Sequence, residues 1–125
     1  MCGIAGIIQN GEANIDLNIN IRKMLASLSH RGPDHQGSWI SQNKKISLGN
    51  TRLAIQDLTE NGNQPFFSPS GNYIIVINGE IYNHLELRDK LQKSLKYNSW
   101  RGNSDTETVA VLLDYYGIDK TVQLI

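Results

Sequence analysis

The sequence predicts an α+β fold in which short strands are flanked by amphipathic helices. Two observations lead to this prediction. Apolar residues recur at helical spacing in three separate segments, and short apolar runs elsewhere are bounded by Gly, Pro and Asn, which favour turns. The chain has 125 residues, enough for a sizeable core but for one domain at most.

The amino-terminal part of the chain predicts a strand, a helix and two further short strands. Gly3–Ile8 is an apolar run closed by Asn10-Gly11, which indicates a buried strand followed by a turn. Residues 29–37 contain Gly32-Pro33-Asp34 and predict a loop. Residues 38–40 and 45–48 predict short strands joined by a polar turn. The helix between the first strand and the loop starts near Asp16 and carries apolar residues at helical spacing: Leu17, Ile21, Met24, Leu25 and Leu28.

The middle of the chain predicts strands separated by a long loop. Residues 52–55 form a candidate short strand, and residues 59–71, which include two prolines, form a loop. Residues 73–77 read Tyr-Ile-Ile-Val-Ile and are apolar on both faces, which is typical of a central strand. Asn78-Gly79 ends this strand.

Two helices are predicted in the carboxyl-terminal part. Asn83 precedes Glu86 by three residues, and Ser104 precedes Glu107 in the same way, so both pairs predict capping boxes. The second helix stops at Gly117, and residues 119–125 begin a further helix or a connection. The inward residues of the two helices are predicted to be Leu87, Leu91 and Leu95 in the first, and Val109, Leu112, Leu113 and Tyr116 in the second.

Composition excludes several classes of function. Twelve basic and twelve acidic residues cancel, so no strong field attracts nucleic acid or an anionic membrane. No apolar run approaches the roughly 20 residues that cross a bilayer, and the start of the chain lacks the pattern of a signal peptide. The one cysteine cannot form an internal disulfide and predicts a reducing, cytoplasmic location. The three histidines have no metal-binding spacing.

That cysteine stands at position 2, where removal of Met1 would make it the amino-terminal residue. A terminal α-amine has a pKa of about 7.7–8.0, so it can take the thiol proton directly or through one water. Cys2 could equally be a small apolar residue that begins a buried strand. Position alone does not separate these two interpretations.

Five blocks in a fixed order change the balance in favour of chemistry. Together they resemble the glutaminase domain of class II glutamine amidotransferases, an N-terminal-nucleophile family, and specifically its asparagine synthetase branch. The resemblance runs from residue 1 to about residue 116. The blocks are Met1-Cys2-Gly3-Ile4-Ala5-Gly6-Ile7, His30-Arg31-Gly32-Pro33-Asp34, Thr51-Arg52-Leu53-Ala54-Ile55, Asn78-Gly79-Glu80-Ile81-Tyr82-Asn83 and Ser104-Asp105-Thr106-Glu107.

The resemblance implies a catalytic role for three residues. Cys2 matches the nucleophile that attacks the carboxamide of glutamine and forms a thioester. The side chain of Asn78 and the backbone N–H of Gly79 match the donors that stabilise the oxyanion. Asn-Gly is also a strong hairpin signal, and one turn can serve both purposes. His30 invites assignment as a general base, but the α-amine already fills that role, and its block is interpreted as a rigid loop beside the pocket.

The resemblance also implies the residues that bind L-glutamine. Arg52 matches the arginine that binds the α-carboxylate, and Asp105 matches the carboxylate that receives the ammonium. Leu53, Ile55 and Glu80 match positions that line the pocket. Without the resemblance, Arg52 would be interpreted as a surface cation, Asp105 as an acid in the first turn of a helix, and Glu80 as a solvated turn residue.

The resemblance implies an αββα layered fold, with residues 1–125 as the amino-terminal part of a type-2 glutamine amidotransferase domain. Family members continue into further strands and an ATP-using synthetase domain, so the sequence is interpreted as truncated at the carboxyl terminus. No cofactor is expected in this domain, since ATP and Mg²⁺ belong to the synthetase part. Exposed strand edges predict pairing with a synthetase domain, with a second polypeptide or with itself.

Two other hypotheses stay open at this point. The chain could be a non-catalytic fragment or interaction module that keeps the motifs without a competent pocket. Alternatively, it could be the glutaminase part of an enzyme that amidates a sugar or another carboxylate, because the residues that choose the acceptor lie outside these motifs. One departure from the family pattern is Asn50, which stands where histidine is common.

Overall fold

The computed structural model describes residues 2–10 and 15–125. The state of Met1 and the predicted turn at Asn10-Gly11 therefore lie outside the described residues. The chain divides into two compact units, each described below by itself. The first unit contains the described residues up to Ala54 together with Asn63–Pro65 and Val76–Gly79, and the second contains Ile55–Gly62, Phe66–Ile75 and Glu80–Ile125. The described elements are three α-helices and two small antiparallel sheets, which confirms the predicted mixture of helices and strands.

The first unit contains a three-stranded sheet of β1 (Gly3–Ile8), β2 (His35–Ile40) and β3 (Ile46–Arg52). Its order is β1-β3-β2, with every pair antiparallel. β2 starts three residues earlier than predicted, and the separate strand predicted at 52–55 is wrong because β3 runs through to Arg52. The pairing decides both points, since Arg52 lies opposite His35 in the register. β1 is half-buried, with exposed and covered residues alternating along it.

Helix α1 (Leu17–Ser27) packs on one face of this sheet. The Asp16 side chain caps it by accepting from Ile19 N at 3.0 Å, and Leu17, Ile21 and Leu25 are buried, as the spacing predicted. Ile21 and Leu25 form the core with Ala5 of β1. Met24 lies outside this core and is 39% exposed.

A two-stranded sheet in the second unit corrects the predicted central strand. It pairs β4 (Phe66–Phe67) with β5 (Ile74–Ile75), so only two of the residues 73–77 are in a strand. Beyond β5, Ile77 N donates instead to the Gln64 side chain at 2.6 Å. Extended propensity favours the strand conformation, but the number of ladder bonds depends on the partner strand, which sequence periodicity does not show.

Helices α2 (His84–Leu95) and α3 (Asp105–Leu124) form the core of the second unit. Leu87 and Leu91 pack against Val111 and Leu112, and each fully buried side chain contributes roughly 1.5–3 kcal/mol by removal from water. The predicted capping box at Asn83 is wrong. Its side chain makes no cap bond and donates to the carbonyl of Leu124 at 2.8 Å, because that acceptor lies within reach in the folded unit.

Helix α3 begins at the predicted position, with the Ser104 hydroxyl accepting from Glu107 N at 3.3 Å. The second half of the predicted capping box is wrong, because the Glu107 carboxylate accepts from Arg101 N and Gly102 N instead of Ser104 N. Gly117 interrupts it with φ 72° and ψ −178°, a conformation that is essentially restricted to glycine, and the chain then continues as helix. Tyr116 is 41% exposed, so its predicted inward position is wrong. Over the residues that the structure describes, none of the helices has the length and apolar character required to cross a membrane.

Candidate active site

Cys2 lies directly before β1, where the register of the sheet brings it to the end of β3. Leu53 N donates to the Cys2 sulfur at 3.4 Å, and the sulfur lies 3.8 Å from the carbonyl oxygen of Leu53. The thiol is half-buried. One backbone N–H and one backbone carbonyl therefore hold the sulfur of Cys2 at the end of β3.

The loop that carries His30-Arg31-Gly32-Pro33-Asp34 fixes the backbone on both sides of this sulfur. Arg31 Nε donates to the Cys2 carbonyl at 3.0 Å. Asp34 N donates to the Arg52 carbonyl at 3.0 Å, and the Asp34 carboxylate accepts from Ala54 N at 2.8 Å. A side chain at Gly32 would overlap the backbone of β3, so the loop can approach this closely only with glycine there. The loop therefore supports Cys2 and the end of β3.

Arg52 is the last residue of β3 and is only 7% exposed. Its Nη1 donates to the Asn63 side chain at 2.9 Å, which orients the guanidinium within the first unit. The interpretation of Arg52 as an ordinary surface cation is therefore wrong. A buried, oriented guanidinium is suited to hold a carboxylate through paired hydrogen bonds.

Asn78 and Gly79 end the last segment of the first unit. Both are exposed, and the Asn78 side chain has no hydrogen-bond partner among the described residues. The predicted hairpin is absent, because α2 follows this segment and no strand returns along β5. Gly79 has no positive φ, and a Cβ there would meet only Ile77 at 3.9 Å, so the backbone conformation does not require glycine. These two groups remain accessible as hydrogen-bond donors.

Asp105 is the first residue of α3 in the second unit and is half-buried. Its Oδ2 accepts from Ile81 N at 2.9 Å, and its Oδ1 accepts from Thr106 N at 2.7 Å. Two backbone donors thus fix the carboxylate. Each carboxylate oxygen keeps acceptor capacity, so the group can also bind a cation.

Glu80, Ile55 and Leu53 are the remaining predicted binding residues. Glu80 is exposed and accepts from the Gln56 side chain at 2.7 Å, and Ile55 is 69% exposed. Leu53 belongs to the first unit, where its backbone N–H donates to the Cys2 sulfur. The structure thus groups Cys2, Arg52 and Leu53 in the first unit and gives Glu80, Ile55 and Asp105 to the second.

His84 is the first residue of α2, in the second unit. Burial lowers its pKa below the ordinary value, and the negative charge of Asp105 partly opposes that shift. Its Nδ1 is buried with no partner among the described residues. His30 is exposed. Within residues 2–10 and 15–125, no group of His, Cys, Asp and Glu side chains is arranged to hold a metal ion.

Comparison with known proteins decides the family. The sequence profile of the glutamine amidotransferase domain matches residues 1–125. The chain belongs to this family.

Relatives of this amidotransferase domain include three enzymes from fungi and plants. Asparagine synthetase 1, glutamine-hydrolysing, of Arabidopsis thaliana is 37% identical over 95% of this chain and 19% of its own length. The glutamine-hydrolysing asparagine synthetase of Zea mays is 36% identical over 94% of this chain and 19% of its own length. Amidase chry2 of Gibberella zeae is 37% identical over 94% of this chain and 18% of its own length. The chain therefore spans about a fifth of the length of these relatives.

The amidotransferase motifs do not by themselves indicate that Arg31 and Asp34 support the candidate site. Their sequence block predicts a rigid loop but does not indicate which groups its side chains contact. The available signal was the pair of charged residues flanking Gly32-Pro33. A backbone carbonyl and a backbone N–H leave no trace in a sequence, so the contacts with Cys2 and Ala54 needed the structure.

Proposed function

We propose that this amidotransferase domain hydrolyses L-glutamine to glutamate and ammonia with Cys2 as the nucleophile. The observation that supports it best is the position of the Cys2 sulfur, 3.4 Å from the N–H of Leu53. Arg31 Nε donates to the backbone carbonyl of Cys2 at 3.0 Å, so both the side chain and the backbone of Cys2 are held in place.

The reaction begins when Met1 has been removed and the α-amine of Cys2 is free. That amine takes the thiol proton, and the sulfur attacks the carboxamide carbon of glutamine. The amide nitrogen receives the proton and leaves as ammonia, while an S–C bond forms the thioester. Water then adds to the thioester carbon, which releases glutamate and restores the thiol.

The tetrahedral intermediate carries a negative oxygen that needs preorganised donors. We assign this role to the Asn78 side chain and the Gly79 N–H, both exposed and with no competing partner for the Asn78 amide among the described residues. Removal of one such donor typically costs roughly 10²–10³ in kcat.

The two charged groups of free glutamine distinguish it from a side chain in a peptide. We assign its α-carboxylate to Arg52, which is buried and oriented by Asn63. We assign its ammonium to Asp105, whose carboxylate is fixed by Ile81 N and Thr106 N. Leu53, Ile55 and Glu80 complete the proposed binding residues.

The larger protein would pass the ammonia to an acceptor carboxylate such as aspartate. Two of the relatives described above are named asparagine synthetases, which supports this acceptor. Amidase chry2 carries a different name, so a different acceptor is the second candidate. We assign ATP and Mg²⁺ only to acceptor activation in a synthetase part. A cytoplasmic location is proposed because the thiol must stay reduced.

The test compares the parent chain with three variants, using glutamine as substrate. Intact mass first establishes that Met1 is removed, and glutamate release is then measured. Cys2→Ala and Cys2→Ser are expected to lose roughly 10³-fold or more of the activity, because no comparable nucleophile remains. A third form carries one extra glycine before Cys2, which keeps the thiol but displaces the amine, and it should be equally inactive.

Thermal unfolding of the same forms provides the control, since each should melt like the parent chain. Glutamate release that survives Cys2→Ala would refute the proposed nucleophile. Full activity in the glycine-extended form would refute the α-amine as base while leaving the thiol in place.

A further inference from the structure

Arg88 of α2 is a buried cation that lies outside the proposed reacting groups. It is 9% exposed, and its Nη1 and Nη2 donate to the backbone carbonyls of Gly102 at 2.7 Å and Ser104 at 2.8 Å. Its Nε donates to the Thr108 hydroxyl at 2.8 Å. The Trp100 ring centroid is 4.1 Å from the guanidinium carbon. The planar fork of arginine matches this set of acceptors, which a lysine cannot satisfy together.

Glu107 holds the same stretch of backbone from the other side. It is 1% exposed, and its two carboxylate oxygens accept from Arg101 N at 2.8 Å and Gly102 N at 3.0 Å. It also pairs with Arg88 at 3.4 Å. The buried Asp57 side chain accepts from Asn103 N at 2.8 Å. Charged or polar groups of buried side chains therefore fix a backbone group at each residue from 101 to 104.

This segment ends directly before Asp105, the proposed acceptor of the substrate ammonium. A buried ion pair contributes little net stability, since apolar residues of similar volume are often equally stabilising. Its hydrogen bonds do, however, fix the path of the backbone that they hold. The geometry of the Asp105 carboxylate also depends on Ile81 N, 2.9 Å away, so a small shift of residues 101–104 would misalign it.

We infer that Arg88 and Glu107 are positioning residues that set the affinity of this domain for the α-ammonium of glutamine through the backbone of residues 101–104. The inference rests on the proposed function of Asp105 as the group that binds the ammonium. Neither residue touches the substrate; both act through the segment that carries Asp105.

The first test measures the position of Asp105 without any activity. Hydrogen exchange of the Ile81 amide, which donates to Asp105, is followed by NMR in the 125-residue chain. Arg88→Lys should accelerate this exchange roughly tenfold, because the lysine cannot hold both carbonyls. The charge-free double variant Arg88→Met with Glu107→Gln leaves no unpaired buried charge and should show the same acceleration. Unchanged protection of Ile81 in both variants would overturn the inference.

The second test separates the ammonium from the rest of the substrate. Glutaramate, which is glutamine without the α-amino group, is hydrolysed alongside glutamine. Arg88→Lys should raise KM for glutamine roughly tenfold with kcat little changed, as expected for a weakened hydrogen bond to a charged group. kcat/KM for glutaramate should stay the same. An equal loss of kcat/KM on both substrates would indicate a structural role only and refute the inference.

A matched control lies on the same helix. Glu86 and Lys90 form an exposed ion pair at 2.7 Å, and the double variant Glu86→Gln with Lys90→Met makes the same chemical changes away from residues 101–104. It should change neither Ile81 exchange nor KM. If the parent chain releases no glutamate, the proposed function fails, and the exchange measurement alone still decides whether Arg88 and Glu107 position Asp105.

Discussion

The imidazole of His84 shows how one side chain responds to charges brought close by folding. Burial lowers its pKa, with Arg88 acting in the same direction and Asp105 and Glu80 against it. In the unfolded chain its pKa returns to about 6.5. The folded form therefore binds a proton less readily than the unfolded form, which links stability to pH.

We expect the free energy of unfolding to decrease as the pH falls below about 6.5, where the unfolded state takes up a proton first. The His84 contribution is fully present above that pH and is lost as the pH approaches the lower folded pKa. Urea unfolding between pH 5 and pH 8 measures this slope. His84→Gln should flatten the curve in this range, and a curve with the same slope in the variant would contradict the assignment.

The candidate site residues of the first unit can be predicted from the blocks of the sequence, whereas their contact partners cannot. Cys2 and Arg52 are candidates because both belong to recognisable blocks. Their contacts with Leu53, Arg31 and Asn63 join residues 11 to 51 positions apart in the chain. Such contacts follow from strand register and loop path, which single-residue patterns do not encode.

At the scale of elements, the glycines in the sheet of the first unit differ in how closely other segments of the chain pack against them. Gly37 of β2 lies against Gln64, whose side chain accepts from Ile77 N just before Asn78. Gly6 of β1 has only ordinary neighbours, with Leu48 3.6 Å from a built Cβ. The two positions therefore differ in how tightly the backbone is packed from outside.

We expect Gly37→Ala to lower the free energy of unfolding by about 1–3 kcal/mol, because the added methyl overlaps the Gln64 backbone. Gly6→Ala is the matched control in the same sheet and should change it by no more than about 0.5 kcal/mol. Urea titration of both variants gives the comparison. Equal effects at the two positions would show that the approach of Gln64 is not restrictive.

Element prediction succeeded where the pattern was local. Strand β1, helix α1 and the start of α3 match their predicted limits closely, since apolar spacing and a capping side chain define them. The prediction was wrong where the local conformation depends on a partner that is distant in the sequence. Only Ile74 and Ile75 of the strand predicted at residues 73–77 are in a strand. The Asn83 side chain donates to the Leu124 carbonyl instead of capping its own helix.

At the scale of the whole molecule, charge balance and exposed apolar side chains act together. The formal net charge is zero at pH 7, and the sequence pI is about 6.8. Several large apolar side chains of the described residues are exposed, among them Ile4, Ile8, Leu58, Ile118 and Val122. Charge repulsion between copies is therefore weakest near neutral pH, where these surfaces can associate.

We expect self-association to be strongest near pH 6.8 and to decrease toward pH 5 and pH 8.5. Light scattering at fixed protein concentration measures the apparent mass across this range. The same series with Cys2→Ser excludes disulfide-linked dimers, since Cys2 is the one cysteine of the chain. An apparent mass that is independent of pH would contradict the prediction.

The sequence by itself determined the family, the candidate site residues and the local elements, because five blocks and the apolar spacing are properties of neighbouring residues. Only the tertiary structure decided which backbone atoms hold Cys2 and Asp105, and that a buried pair, Arg88 with Glu107, fixes residues 101–104. The physical reason is that these interactions join backbone groups and charges far apart in the chain. Their energies depend on distance and burial, which exist only once the chain has folded.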